Sequence, residues 1–421
     1  MNAINKRVKV VSVLMFCLST GAFADDYHYN NILIGDRATG MGGAYTAISD
    51  DASGLFYNPA GVVYVTDRNF SASVNAYSAQ YKTYENVIGG QPFVRQSSAL
   101  KANYFGIVKP VGNLKFGFSY AVPDAVNEDL SQNVKNIAVA GGLTQDFTIN
   151  LNNQDNTINI GPSVAAAINS DLAVGMTLYV HNRSTLIVVN QFVARSDTTN
   201  QWTNTYWKLN ETGVRPILGV TWSPVEKLSL GASVSTIFLF NSSATFQETC
   251  VNTLAPTNCD AAATAAFPFK VPTLSSTDQK RNYPVRLAVG AAYFASSSLL
   301  VSTDFVYHTA VQNVAPFENK VATLDAAVGA EYYVNKQWAV RSGLFSNVAN
   351  TYPIEAGVTN IEEHINIYGL SLSLTRFSGE TSVTLGGSVS YGVGQSQITG
   401  NTADVQNAST LGWTMFLSSS Y

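Results

Sequence analysis

The chain has 421 residues, 24 basic against 28 acidic side chains, a net charge of −4 and only 12% charged residues. A soluble globular chain carries roughly 25% charged residues, and here 31 Gly with 21 Tyr and 21 Phe take that place, which suits a wall facing lipid. The acidic balance excludes nucleic acid as an electrostatic partner.

Lys6, Arg7 and Lys9 precede an apolar run over 10–18, and Ala22-Phe23-Ala24 fits signal-peptidase cleavage. Residues 1–24 therefore read as a signal peptide, with Asp25 as the first mature residue. Leu14, Met15 and Phe16 are too bulky to make Cys17 a lipid-attachment site. Cleavage removes three basic residues and no acidic one, leaving the exported chain more acidic still. Two cysteines then remain, Cys250 and Cys259, and such a pair in an exported chain reads as a loop-closing disulfide. No His lies near them to suggest a metal.

Residues 25–67 are rich in Gly and small side chains and lack strand alternation. Asp50 and Asp51 suit a helix start, 52–57 a short helix or turn, and Asn58-Pro59 its end, because the residue before proline is driven out of helical geometry. Gly40, Gly42, Gly43 and Gly61 permit close backbone packing. Gly40-Met-Gly-Gly lacks the Lys-Ser/Thr pair and the preceding strand of a nucleotide loop.

From residue 68 the period-2 rule gives about fourteen strands. They are placed at 68–80, 99–109, 113–122, 156–168, 171–194, 201–223, 226–240, 281–295, 298–308, 319–334, 336–347, 363–377, 380–394 and 408–421. Tight turns near 110–112, 169–170, 224–225, 296–297, 335 and 378–379 alternate with longer polar connections, the longest at 123–155 and 241–280. That asymmetry belongs to an outer-membrane barrel. No mature segment offers the roughly 18 apolar residues of a spanning helix, so strands must do the crossing.

The predicted fold is thus all-β: a transmembrane antiparallel β-barrel over 68–421, stoppered by the segment 25–67. Tyr104, Gly106 and Val108 share one parity, as do Val285, Leu287, Val289, Ala291 and Tyr293, and both faces are assigned to lipid. Trp222, Trp338, Tyr332 and Tyr333 fall beside tight turns, at the depth of the membrane interface. The final strand places Leu411, Trp413, Met415, Leu417 and Tyr421 on one face. It resembles the carboxy-terminal signal read by barrel-assembly machinery, which becomes an expected partner beside outer-membrane lipid and lipopolysaccharide.

Gly40-Met-Gly-Gly-Ala-Tyr, Asp50-Asp-Ala-Ser and Asn58-Pro-Ala-Gly61 resemble the amino-terminal hatch of the FadL/TodX (OmpP1-like) outer-membrane transporters of long-chain fatty acids and hydrocarbons. The resemblance implies passive diffusion of a hydrophobic compound through a hatch-gated barrel, with lateral exit into the bilayer and with Asn58, Pro59, Ala60 and Gly61 as the gate. Lys101, Arg215 and Arg286 share a lumen-facing parity and lie roughly eight to ten residues from their periplasmic turns, where a cation could hold a fatty carboxylate. Secretion-accessory or binding barrels of the PorV type share the Asn-Pro-Ala-Gly segment and stay open as an alternative, as does a general porin. His28, His181, His308 and His364 are scattered over different elements, so neither catalysis nor a metal or cofactor is expected.

Overall fold

The computed structural model describes residues 26–65, 70–138, 142–355, 363–398 and 405–421. The predicted signal peptide and the last hatch residues, 66–67, lie outside the described residues. The strands are β1 (Phe70–Ile88), β2 (Gln91–Val111), β3 (Leu114–Ala138), β4 (Thr144–Ala167), β5 (Leu172–Arg195), β6 (Asn200–Val225), β7 (Leu228–Ser235), β8 (Phe238–Asn252), β9 (Phe269–Thr277), β10 (Arg286–Phe294), β11 (Leu299–His308), β12 (Thr323–Asn335), β13 (Trp338–Asn347), β14 (Glu363–Ser378), β15 (Thr381–Ser396) and β16 (Gln406–Ser420). Fourteen of them, β1 to β7 and β10 to β16, form a closed antiparallel ring. β1 pairs with β16 from Ser71↔Ser420 to Tyr84↔Ala408, and this closure removes the exposed edges that an open sheet would present to lipid.

The run predicted as one strand over 226–240 divides at Thr236-Ile237. β7 stays in the ring between β6 and β10, whereas β8 pairs with the outer half of β6 and carries β9 as a hairpin beyond the ring. Cys250 and Cys259 are joined by a disulfide at the end of that hairpin, with Cα atoms 5.4 Å apart. The bridge is expected to order the hairpin tip by roughly 2–3 kcal/mol. Cys250→Ser should speed proteolytic nicking near 253–268 while leaving the heat-resistant migration of the barrel unchanged; equal nicking rates would remove this role.

Three segments expected to be connections are largely strand, the first being 81–98, where β1 and β2 extend to meet at Ile88↔Gln91. β3 runs on to Ala138 and β4 begins at Thr144, so 123–155 is mostly ladder, and 241–280 is largely the β8–β9 hairpin. Alternation persists here with its sense inverted: Phe147, Ile149 and Leu151 turn inward while Asn150 and Gln154 are exposed. A polar outer face in water looks like loop composition.

One face assignment is also corrected. Tyr104 and Val108 are buried in the lumen, and Phe105 and Ile107 face outward at 40% exposure each. A bulge shifts the register between Ser73↔Tyr104 and Val74↔Ala102, so Lys101 and Tyr104 do not have opposite faces as strict alternation would require. On β10 the outward face stands as expected, with Leu287, Val289 and Tyr293 exposed.

The lumen is layered. Its inner end is filled by residues 26–65, whose apolar side chains Ile34, Met41, Tyr45, Leu55 and Val62 form a buried core with Tyr104, Val108 and Ala165 of the wall. Its outer end is closed by a second apolar cluster that includes Tyr84, Phe93, Ile187, Trp207, Phe317 and Ile365, drawn from both sides of the ring. Between them the inward positions of β5 read Tyr179, His181, Arg183 and Thr185, and a polar chamber results.

Candidate functional site

The hatch is held by backbone approach more than by side-chain bulk. It contains two short helices, α1 (Asp36–Gly40) and α2 (Gly54–Tyr57), and a 3-10 helix, Pro59–Tyr64. Asp51 Oδ1 accepts hydrogen bonds from Ser53 N and Oγ at 2.7 and 2.5 Å, which shapes the turn before α2. Where its backbone meets the wall, the wall supplies glycine: Gly175 of β5 lies against Pro59-Ala60, Gly219 of β6 against Asn58, Gly231 of β7 against Thr46, and Gly329 and Gly343 of β12 and β13 against Met41. A Cβ built on Gly175 would fall 2.5 Å from the carbonyl carbon of Pro59. Polar side chains from the wall complete the fastening. Asp304 Oδ2 accepts from the backbone of Tyr45 and Thr46 at 3.0 and 2.7 Å, Thr177 Oγ1 donates to Leu55 O at 2.7 Å, and Glu331 bonds both Arg37 and Arg341.

The Asn58–Gly61 motif is among the most tightly held parts of the hatch. Asn58 is fully buried, and its Nδ2 donates to Thr46 O, Val220 O and Thr221 Oγ1 at 2.8, 3.0 and 3.1 Å, while Oδ1 accepts from Ala60 N at 3.2 Å. Pro59 opens the 3-10 helix at a position that needs no N–H. Gly61 packs so near Ser49 that a Cβ would fall 2.6 Å from its side chain and its carbonyl oxygen. Asn58→Ala removes these bonds and leaves buried carbonyls unpaired, so hatch docking should weaken by roughly 2–3 kcal/mol. Faster amide exchange over 58–64 in otherwise folded barrels is the expected readout; unchanged protection would contradict it.

The wall has one conspicuous break beside the hatch. The β2–β3 ladder runs from Val111↔Leu114 to Tyr104↔Ala121, and beyond that the two strands share the single register pair Ser97↔Glu128, so 98–103 and 122–127 face each other without register pairs. Pro123, which lacks an N–H to give, lies in this stretch, and β3 bulges against β4 between Ala121 and Asp124. From inside, Ile32 N donates to Pro123 O and Asn103 Nδ2 donates to Leu33 O, both at 3.1 Å. Residues Ile32 and Leu33 thus cover the break.

Above the hatch lies a cavity of about 180 Å³, lined by hatch residues Asp26, His28, Tyr29, Phe56 and Tyr57 and by wall residues that include Arg183, Arg215, Arg281, Arg286 and Lys320. Two of the three cations expected from sequence meet here. The Arg215 guanidinium stands 4.8 Å over the Phe56 ring, and Arg286 Nη1 donates to Ser233 Oγ at 3.4 Å. Among the described residues neither forms an ion pair. Lys101 does not line this cavity; it lies on the unpaired stretch of β2, with Nζ 3.1 Å from Asn156 Oδ1 of β4.

The sequence reading missed Arg183, Arg281 and Lys320. Arg183 shares its parity with His181 and Tyr179, a signal that was available, whereas the lumenal placing of Arg281 and Lys320 depends on how segments outside the strands fold back. Asp26 meets all three: Arg183 Nη1 at 3.0 Å, Arg281 Nη1 at 2.9 Å and Lys320 Nζ at 3.8 Å. Burial alone would push the Asp26 carboxyl up, but Arg281, Lys320 and Arg183 outweigh it and hold it well below the usual carboxylate range. His28, His181 and His308 also reach the cavity lining, each with a hydrogen-bond partner. No group of three or more His, Cys, Asp or Glu among the described residues could hold a metal ion.

Comparison with known proteins matches this architecture. Residues 15–351 fit the family model described as outer membrane protein transport protein (OMPP1/FadL/TodX). No curated protein matches the chain. Among solved structures, a FadL homologue of Pseudomonas aeruginosa aligns over 94% of this chain and 99% of that one, at 14% identity and a TM-score of 0.64. The P. putida toluene transporter TodX aligns over 93% and 98% at 13% identity and 0.61, and the CymD monoaromatic hydrocarbon channel over 93% and 99% at 16% identity and 0.56. At these identities the likeness carries the fold alone, while the family model spans well over half of the sequence. The chain belongs to the OMPP1/FadL/TodX family of outer-membrane transport proteins and is a barrel of the outer membrane.

Proposed function

We propose that the protein carries a hydrophobic compound across the outer membrane by passive diffusion, and that its substrate is a long-chain carboxylate amphiphile rather than a neutral hydrocarbon. The observation that carries this reading is the pair Arg215 and Arg286: two lumenal guanidiniums without ion pairs in the cavity. A buried guanidinium without a contact ion pair is costly, and a carboxylate ligand relieves that cost with charge-assisted bonds. A neutral hydrocarbon would leave them as they are.

The tail has a matching environment. The chamber has room for about ten water molecules, enough for a carboxylate and the first methylenes. The apolar cluster above it, with Ile187, Trp207, Phe317 and Ile365, can accept the remainder of the chain by parting around it. Onward movement follows through the β2–β3 break into the bilayer, so that the tail never crosses water. In this reading Asn58, Pro59, Ala60 and Gly61 anchor the gate, and the residues ahead of α1 are the part that yields. Lys101 stands at the break, where it can meet the carboxylate on its way out.

Cells carrying or lacking the protein should be supplied with radiolabelled oleate and, separately, with hexadecane and toluene. Oleate uptake is expected to rise several-fold with the protein present and hydrocarbon uptake to change little. Uptake of hydrocarbons alone would overturn the carboxylate reading, and faster passage of small hydrophilic solutes alone would favour a porin.

A further inference from the structure

The outward face of the tall side changes character at one level. On β5 the outward residues Val174, Met176, Leu178 and Val180 are apolar and exposed, and Asn182 and Ser184 follow at the same parity. The stretch from Leu172 to Val180 matches the roughly 9–11 residues that a tilted strand needs to cross the hydrocarbon layer. Polar rows therefore begin at the outer head-group level. The register carries them across the sheet: Ser184 faces Asn156 and Asn210, and Asn190 faces Asn150 and Asn204.

Side-chain bonds hold these amides in place. Asn182 Nδ2 donates to Thr212 Oγ1 at 3.2 Å, Ser184 Oγ to Asn210 Oδ1 at 3.1 Å and Asn204 Nδ2 to Asn190 Oδ1 at 2.6 Å. Each bond engages one end of an amide and leaves its other end to accept or donate elsewhere. Val188 and Tyr206 stand in register between the rows, with Phe192 and Trp202 above them. From 182 to 194 on β5 and from 200 to 212 on β6, the outward positions include one charge, Lys208. A face turned to water alone is kept soluble by charge. Amides fixed in rows beside aromatic rings suit a neutral polyol instead, whose hydroxyls both donate and accept and whose C–H faces lie against such rings.

We propose that the outward face of β4, β5 and β6 above Val180 is a saccharide-binding surface, and that its occupant is the sugar head group of the glycolipid in the surrounding outer leaflet. Lipid covers the same strands immediately below, so the head group of that lipid is the first molecule to reach Asn182 and Asn210. Neighbouring strands set the amides roughly 4.8 Å apart and alternate residues set them roughly 6.6 Å apart, a grid on the scale of one sugar ring. The contact clasps the part of the wall that rises beyond the hydrocarbon. It is independent of what the lumen carries.

The test titrates the purified, folded barrel with the core oligosaccharide released from rough-type lipopolysaccharide and then dephosphorylated, and follows binding by ligand-observed NMR. The parent should bind it, and Tyr206→Ala and Asn190→Ala/Asn204→Ala should each weaken binding about tenfold. Tyr206→Phe keeps the ring and should bind nearly as the parent does. Tyr391→Ala, which removes an outward tyrosine from β15, should leave binding unchanged. In native mass spectrometry the parent should retain rough-type lipopolysaccharide in preference to the same lipid stripped of its core sugars, and the Asn190→Ala/Asn204→Ala barrel should show no preference. Heat-modifiable gel migration confirms that each variant compared is folded.

No binding of the dephosphorylated oligosaccharide by the parent, or equal losses in Tyr206→Ala and Tyr391→Ala, would overturn the proposal. Binding that requires the phosphates would assign the contact to charge at Lys208 and overturn it as well. A neutral dextran bound as tightly as the core sugars would remove the membrane's own glycolipid as the occupant.

Discussion

Valine at Gly343 is expected to unseat the hatch and convert a silent barrel into one that conducts. A Cβ there would fall far inside contact distance of the Met41 carbonyl carbon and Gly42 N, backbone atoms that cannot swing aside as a side chain can. That backbone is pinned by its own turn, with Met41 N bonded to Arg37 O and Gly42 N to Thr39 O at 3.1 Å each, and Gly42 at φ 66°, where L side chains are strained. Overpacking a close contact costs about 1–3 kcal/mol in a core that can adjust, and this one has little freedom to do so. The wall itself should still assemble, because the β12–β13 ladder lies in the sheet and Leu344 beside it faces outward at 61% exposure. Gly343→Val in planar bilayers should show pore-like conductance and sensitise cells to large hydrophilic antibiotics. Gly175→Val, which presses on Pro59, should act in the same sense, and Leu344→Val should not. A silent Gly343→Val barrel would mean that the hatch can shift without leaving the lumen.

The second large effect belongs to the chamber. Replacing Arg215 and Arg286 together by alanine should lower affinity for oleate at least tenfold, since a charge-assisted hydrogen bond contributes about 1.5–3 kcal/mol. Affinity for oleyl alcohol should fall far less, because the tail contacts of Trp207, Phe317 and Ile365 remain. Removing the guanidiniums takes two buried charges without contact ion pairs out of the chamber but also takes Arg286 away from the buried Asp304, so thermal stability of the ligand-free barrel is expected to change little. Isothermal titration with both ligands separates these outcomes, and equal losses for the acid and the alcohol would assign the arginines to packing. Arg215 has a packing role to lose, through its stacking on Phe56, so the comparison between ligands carries the argument.

Much of this could be seen in the sequence, and the gaps have physical causes. The ring, its closing strand and the tight turns follow from period-2 alternation, which survives because one wall face meets lipid. The inward face was harder to assign. In most of a porin wall it is polar, but here its inner level packs a hatch, so Tyr104 and Val108 look as lipophilic as Phe105 and Ile107. One bulge between Lys101 and Tyr104 then suffices to defeat parity counting. At the outer level the pattern inverts, and Asn150 and Gln154 on the solvent side disguise a strand as loop. Arg215 and Arg286 were found because each lies on a regular strand. Their neighbours Asp26, Arg281 and Lys320 lie outside regular elements, and no local period predicts where such residues return.

The ring is not of even height. β4, β5 and β6 have 24, 24 and 26 residues, whereas β10 and β11 have 9 and 10. A tilted strand needs only about 9–11 residues to cross the hydrocarbon layer, so the taller side continues for tens of ångströms beyond it at roughly 3.3 Å per residue. A rampart of this kind lifts the inward Phe147, Ile149, Leu151, Ile187 and Trp207 well clear of the hydrocarbon layer, so an oily molecule can be met by a water-shunning surface before it reaches the depth of the bilayer.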